Sequence, residues 1–169
     1  MTLVLETARL RLRWFTLEDA PFILKLVNEP AFLRYIGDKG VRSLDDARTY
    51  LRTGPLDSYQ RHGFGLYAME LKDRRIAVGM CGLIKRDTLE DVDVGYAVLS
   101  GFRGHGYALE ASAAVLAHGR DAFGLARIVA VTSPDNHRSI RLLEQLGLAF
   151  ERTLRWPDGD EVRLYGPGR

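Results

Sequence analysis

Residues 102–111, "FRGHGYALEA", stand between a strand-like run, "VDVGYAVL", and an alanine-rich segment with helical spacing. The first N–H groups of a helix have no internal partner and carry the positive end of its dipole, so a strand-to-helix junction can hold an anion. Gly104 and Gly106 let backbone come close to a ligand, Arg103 places a formal positive charge beside it, and Ala108 keeps the first turn free of bulk. A pyrophosphate suits this design. The alternative is a glycine-rich loop that only turns the chain. There is no Gly-Lys-Ser/Thr, which excludes a P-loop. The absence of Gly-x-Gly-x-x-Gly and of a preceding βαβ pattern excludes the dinucleotide fingerprint.

The rest of the chain fits one domain. At 169 residues roughly two-thirds of the unfolded surface can be buried, and no second domain is expected. Hydrophobic residues make up 46% and charged residues 27%, with no apolar run near the roughly 20 residues that span a bilayer. The start, "MTLVLETARL", lacks a cationic segment, a long apolar core and a cleavage-like site, so a cytoplasmic location is expected, with no membrane partner. The net charge of +2 is too small, and the arginines too dispersed, to expect a nucleic-acid partner. The single cysteine, Cys81, excludes an internal disulfide and a cysteine-cluster zinc site; within "IAVGMCGLI" it reads as strand packing. No histidine spacing suggests a metal, and His62, His118 and His137 read as structural or surface residues.

Outward from residues 102–111, periodicity predicts the other elements. "ARLRLRW" alternates strictly, which is the period of a half-buried strand with Arg9, Arg11 and Arg13 on a solvated face. Thr16, Glu18 and Asp19 look like a helix start, with that helix ending before Pro30, and Ser43 looks like the cap of a second helix running to about Arg52. "GFGLYAMELK", "IAVGMCGLIK" and "DVDVGYAVL" read as an antiparallel meander. A helix over residues 107–123 stops at Gly124, "ARIVAVTS" is a buried strand, "DNHRSIRLLEQLG" is a capped helix, and "LAFERTLRW" and "EVRLYG" flank the turn "PDGD". The expected fold is α/β (α+β), a mixed and mostly antiparallel sheet of about seven strands with flanking helices, in the order β-α-α-β-β-β-α-β-α-β-β.

The stretch Arg103-Gly104-His105-Gly106-Tyr107-Ala108 resembles the Arg/Gln-x-x-Gly-x-Gly/Ala motif of the GNAT superfamily of N-acetyltransferases, with Arg103, Gly106 and Ala108 matching. "ETARLRLRWFTLEDA", "VGYAVLSGFRGHGYALEA" and "NHRSIRLLEQLGLAFE" resemble the branch of ribosomal-protein-alanine and related N-acetyltransferases (RimJ/RimL-like), in that family's order and over most of the chain. The resemblance implies that residues 103–108 hold the pyrophosphate of acetyl-CoA as co-substrate. It also implies that backbone groups of Ala97, Val98 and Leu99 hold the thioester and pantetheine, with an N–H polarising the acetyl carbonyl, and that Asn136 and Ser139 face the pantetheine arm or its sulfur. Ordinary capping by Asn136 and a surface hydroxyl at Ser139 are the alternatives. Many superfamily members place a tyrosine in the helix after the second motif; "NHRSIRLLEQLG" has none, and Ser139 is the available hydroxyl there. Trp14 stands where relatives often carry proline, and no function attaches to it.

Transfer to an amine needs a base. Alternation puts Asp91, Asp93, Gly95 and Ala97 on one face of their strand, acidic and small, which leaves room for a substrate. Asp93 matches the acidic position that resembles the family's glutamate and is the candidate general base, directly or through water, against the alternative that Asp91 and Asp93 are solvent-facing charges. Within the loop the His105 side chain is expected to point to solvent or phosphate. The implied activity is acetyl-CoA-dependent transfer to a primary amine, by direct attack in a ternary complex and without a metal. The acceptor stays open among a protein amino terminus, a polyamine, an amino acid and an aminoglycoside-like drug. Relatives are often homodimers, but no residue pattern here supplies a two-fold contact. A silent acyl-CoA-binding regulatory domain, and more distantly a nucleic-acid-binding module, remain as alternatives.

Overall fold

A computed structural model describes residues 1–168. The chain opens with two strands, β1 (Leu3–Glu6) and β2 (Leu10–Arg13). A single 3₁₀ turn at Leu17–Asp19 leads into α1 (Ala20–Leu26), followed by α2 (Pro30–Tyr35), α3 (Leu44–Leu51) and α4 (Asp57–His62). The meander comprises β3 (Leu66–Leu71), β4 (Ala77–Ile84) and β5 (Val92–Val98). Then come α5 (Tyr107–Phe123), β6 (Ile128–Thr132), α6 (His137–Gln145) and the final hairpin, β7 (Leu148–Arg155) with β8 (Glu161–Pro167).

The sheet has eight strands in the order β1-β2-β3-β4-β5-β6-β8-β7, one more than the periodicity predicts. The additional strand is β1. The Thr7 N–H donates to the Leu10 carbonyl at 2.9 Å, and the Thr7 hydroxyl accepts from the Leu10 N–H at 3.1 Å, which folds Leu3–Glu6 back on β2. Among the described residues β5 and β6 run parallel, and the other neighbouring pairs are antiparallel.

The first helix ends before Pro30 as expected, but a further helix starts there. Pro30 occupies the first turn of α2, where its fixed φ suits a helix and its missing N–H costs nothing. Ser43 caps α3 by accepting from the Asp46 N–H at 3.0 Å, but the helical path continues beyond Arg52. One wide turn over Arg52–Leu56 accommodates Pro55 and carries the rod to Gly63, whose φ of +80° ends it.

Helices α1 to α3 cover one face of the sheet, where Phe15, Ile23, Phe32 and Leu51 pack on Ala68 and Met80. Helices α5 and α6 cover the other, with Val115 and Leu143 against Tyr67, Leu83 and Val94. Each such large side chain, fully withdrawn from water, contributes about 1.5–3 kcal/mol. Cys81 is buried among them with its Sγ 3.6 Å from Ser112 Oγ, and burial pushes its thiol up to about 12, so it packs rather than reacts.

Arg11 and Arg13 correct the expectation of a solvated face, whereas Arg9 stays exposed. Arg13 donates two hydrogen bonds of 2.9 Å to Asp19 and one of 3.0 Å to Glu70, with all three side chains nearly withdrawn from solvent. Arg9 donates to Glu110 at 2.8 Å, and Arg11 lies 3.6 Å from Glu6. Trp14 stacks on Tyr59 at 4.5 Å between ring centroids.

Candidate active site

The site begins where two parallel strands part. β5 and β6 pair over Val92–Asp93 and Ile128–Val129 and then diverge. On its other edge β5 stays paired to β4 as far as Val98, and the Leu99 N–H donates to the Val78 carbonyl at 2.8 Å. In an antiparallel pair alternate residues turn their N–H and C=O toward the partner, so Ala97 and Gly95 spend theirs on β4, whereas Val94, Tyr96 and Val98 direct theirs into the gap. The gap opens into a cavity of about 790 Å³.

One wall of the cavity is residues 103–108. Gly104 and Gly106 both adopt φ of +81°, the left-handed region that favours glycine. Gly106 caps α5 with no side-chain hydrogen bond to the helix start, and the first helical bond runs from the Glu110 N–H to the Gly106 carbonyl at 3.0 Å. The N–H groups of Tyr107, Ala108 and Leu109 therefore have no acceptor within the helix, and all three residues line the cavity with Gly104 and Gly106. This arrangement can take an anion. Arg103 lines it too, but its Nε donates to the Val98 carbonyl at 3.1 Å and its Nη2 lies 3.7 Å from Glu29. Glu29 also accepts from the Ser100 N–H at 2.9 Å, so it fixes the entry to the loop.

Leu99 lies elsewhere than expected, and His105 takes the solvent side of its expectation. Leu99 is buried in the core under α1–α3 with its N–H already taken by Val78, so it does not face the cavity. His105 is exposed outside the lining, 5.6 Å from the Tyr107 ring. Ala97 and Val98 do line the cavity.

Helix α6 brings in Asn136 and Ser139. Asn136 caps the helix by accepting from the Ser139 N–H at 3.3 Å, and both residues line the cavity, so the capping and lining placements coexist. The Ser139 hydroxyl is not at the surface alone: it shares a 2.6 Å hydrogen bond with the Tyr96 phenol. Burial pushes Tyr96 up to about 12, against a lowering by Ser139. No spacing in α6 announces this phenol, because it arrives from β5, 43 residues earlier in the chain.

Asp93 lies on the opposite face of β5. It is 1% exposed, which removes the solvent-facing alternative, and it lines the cavity. Arg86, across the turn between β4 and β5, donates to both its oxygens, at 3.0 and 3.3 Å. Burial raises the Asp93 carboxyl above the ordinary carboxylate range, and Arg86 opposes that rise without cancelling it. Asp91 instead accepts from Arg127 at 2.9 Å, away from the cavity.

Two residues near the loop meet partners that no local pattern marks. Glu110, in the first turn of α5, accepts from the Thr7 hydroxyl at 2.5 Å and from the Arg9 backbone N–H at 3.0 Å. The Arg9 guanidinium, also held by Glu110, lies 4.5 Å over the Tyr107 ring. Among the described residues no group of three or more His, Cys, Asp or Glu side chains could hold a metal.

Comparison with known proteins agrees with this geometry. Residues 9–149 match the family described as acetyltransferase (GNAT) domain. The chain is 30% identical over 153 residues to the uncharacterized N-acetyltransferase YoaA of Bacillus subtilis (strain 168), covering 90% of this chain and 86% of YoaA. It is similar in fold to an acetyltransferase from Agrobacterium tumefaciens str. C58, with a TM-score of 0.84 at 21% identity over 100% of this chain and 95% of that one. It is also similar to RimL, the ribosomal L7/L12 alpha-N-protein acetyltransferase, in complex with coenzyme A, with a TM-score of 0.83 at 18% identity over 97% of this chain and 96% of that one.

Proposed function

The chain belongs to the GNAT acetyltransferase family, and from that premise we propose that it moves the acetyl group of acetyl-CoA directly to a primary amine within a ternary complex. The observation that carries this reading is the uncapped start of α5, whose free N–H groups open into the gap between the parted strands β5 and β6. Three consecutive donors, two left-handed glycines and Arg103 suit the coenzyme A pyrophosphate. The backbone edge of Tyr96 and Val98 suits the pantetheine arm, as a strand partner would.

Chemistry then divides between the two faces of β5. The acceptor nitrogen attacks the thioester carbon; its N–C bond forms as the C–S bond breaks. Charge developing on the acetyl oxygen meets the Val98 N–H. The nitrogen's proton passes to Asp93, directly or through water, and its raised affinity for protons suits that role. The departing thiolate, whose conjugate acid has a reference value near 8.5, is already a fair leaving group that takes its proton from water, and the Ser139 hydroxyl, held by the Tyr96 phenol, donates a hydrogen bond to it. Losing this donor costs less than losing the base.

An α-amine, with a reference pKa of about 7.7–8.0, is far easier to deprotonate than a lysine near 10.4, by roughly 3–4 kcal/mol. This favours an amino-terminal or other α-amine acceptor, in keeping with what RimL is named for. The same reading carries the expectations of a cytoplasmic location and of a homodimer. A second reading, acyl-CoA binding without transfer, is favoured by one observation: Arg86 occupies both Asp93 oxygens. Thiol release from acetyl-CoA with a panel of α-amines separates the two. Transfer predicts release that falls roughly 10²–10⁴-fold in Asp93→Asn with unchanged acetyl-CoA affinity; equal release from both proteins rules out Asp93 as the base.

A further inference from the structure

The cavity extends past Asp93 to an end built from the loop after α2, from α3 and from the hairpin of β7 and β8, and its charge there is not balanced. Asp93 is the one carboxylate among its described lining residues, and it is committed to Arg86. Lys39 lines the same end, on its rim, with no carboxylate in salt-bridge reach among the described residues; its neighbour Asp38 is held by Arg42 at 2.6 Å. Arg86 lies close enough to Lys39 and Tyr50 to act on both electrostatically, and its guanidinium lies 5.7 Å over the Trp156 ring. The acceptor end therefore carries Arg86 and Lys39 against Asp93, an excess of one positive charge beside aromatic walls.

We infer that the acceptor is an amine bearing a carboxylate close to the reacting nitrogen, with Lys39 and the outer side of Arg86 holding that carboxylate. This rests on the transfer reading above and narrows its acceptor. Opposite charge draws the acceptor in, and a carboxylate on the cations turns the amine toward Asp93. The same field disfavours polycations: a polyamine or an aminoglycoside would bring further positive charge to a site that already has a surplus. Partial enclosure at the rim and the neighbouring Arg86 both lower the Lys39 ammonium. A carboxylate of this kind comes either from a free amino acid or from an acidic side chain near a peptide amino terminus.

The test uses matched pairs. Phenylalanine is compared with phenylalaninamide, and the amidated peptide Ser-Glu-Phe-Ala with Ser-Gln-Phe-Ala, with spermidine as the polycation. Thiol release is compared per unprotonated amine, and binding of each compound to the coenzyme A-saturated protein is followed by calorimetry. The expected result is a kcat/KM about tenfold higher for the carboxylate member of at least one pair, which also identifies the source. In Lys39→Met that preference collapses toward one through KM, while acetyl-CoA affinity holds. Equal use of both members, a preference for spermidine, or a preference that survives in Lys39→Met overturns the inference. If nothing releases thiol, calorimetry decides: selective binding of the carboxylate member keeps the anion site and discards the transfer reading, and absence of selectivity discards the site.

Discussion

Asp93 shows how one residue can be costly to the fold and useful to the site. Burial raises its carboxyl, and Arg86 only partly restores it, so the folded protein binds the Asp93 proton more tightly than the unfolded chain does. The sign follows: with a folded value above the unfolded one, near 3.9, Asp93 favours the fold most at low pH, and that contribution declines as pH rises through the folded value. Asp93→Asn is accordingly expected to lose less stability than the wild type between about pH 4 and about pH 7. Thermal unfolding of both proteins across that range checks it, and parallel profiles would exclude a raised carboxyl. Arg13 is the counterexample, a charge whose burial is matched. It is shared by Asp19 and Glu70 at 2.9 and 3.0 Å, and Arg13→Ala leaves two buried carboxylates without their cation. A loss of about 3–5 kcal/mol is expected from denaturant unfolding, because breaking such a group leaves uncompensated charge. A change within about 0.5 kcal/mol, typical of a surface substitution, would restore the solvated-face reading.

At the scale of elements, α5 matters most, and both its ends are legible from sequence. Gly106 and Gly124 bracket the helix in left-handed conformations, and the expected span, 107–123, is the observed one. The local pattern writes these limits because each is set by the residue that stands there. The end of the first helix before Pro30 is legible in the same way, but the helix that starts at Pro30 and the wide turn that absorbs Pro55 are not. Glu110 ties the helix start to the turn between β1 and β2. Burial pushes its carboxyl up, but the Thr7 hydroxyl and the Arg9 guanidinium and N–H outweigh it and hold it below its ordinary value. A lowered folded value means stability present above the unfolded value and lost as pH falls through the folded one. Glu110→Gln is expected to flatten that acid-side loss, read as a smaller difference in Tm between about pH 7 and about pH 3 than in the wild type. An unchanged difference would show that the staple carries no charge-dependent stability.

In the whole molecule, the cavity exists because β5 keeps β4 but leaves β6 after Asp93, and nothing in "VDVGYAVL" marks the point of parting. Its chemistry is assembled over long chain separations, with Tyr96 meeting Ser139 and Arg9 meeting Glu110 across 43 and 101 positions. Sequence therefore displayed the glycine loop and helix start that line the cavity, where the geometry is local, and named Asp93 and Ser139, but it could not display the phenol behind Ser139, the arginine on Asp93 or the placement of Lys39 beyond it. The central claim is that residues 103–108 take the pyrophosphate of acetyl-CoA, and the most direct test is calorimetric titration of acetyl-CoA into the wild type and Gly106→Val. A β-branched residue at φ of +81° is strained by roughly 1–3 kcal/mol, and relieving that strain turns the N–H groups of the loop away from the anion. The account predicts stoichiometric binding by the wild type and its loss in a variant that still unfolds cooperatively. No binding by the wild type, or undiminished affinity in the variant, would contradict it.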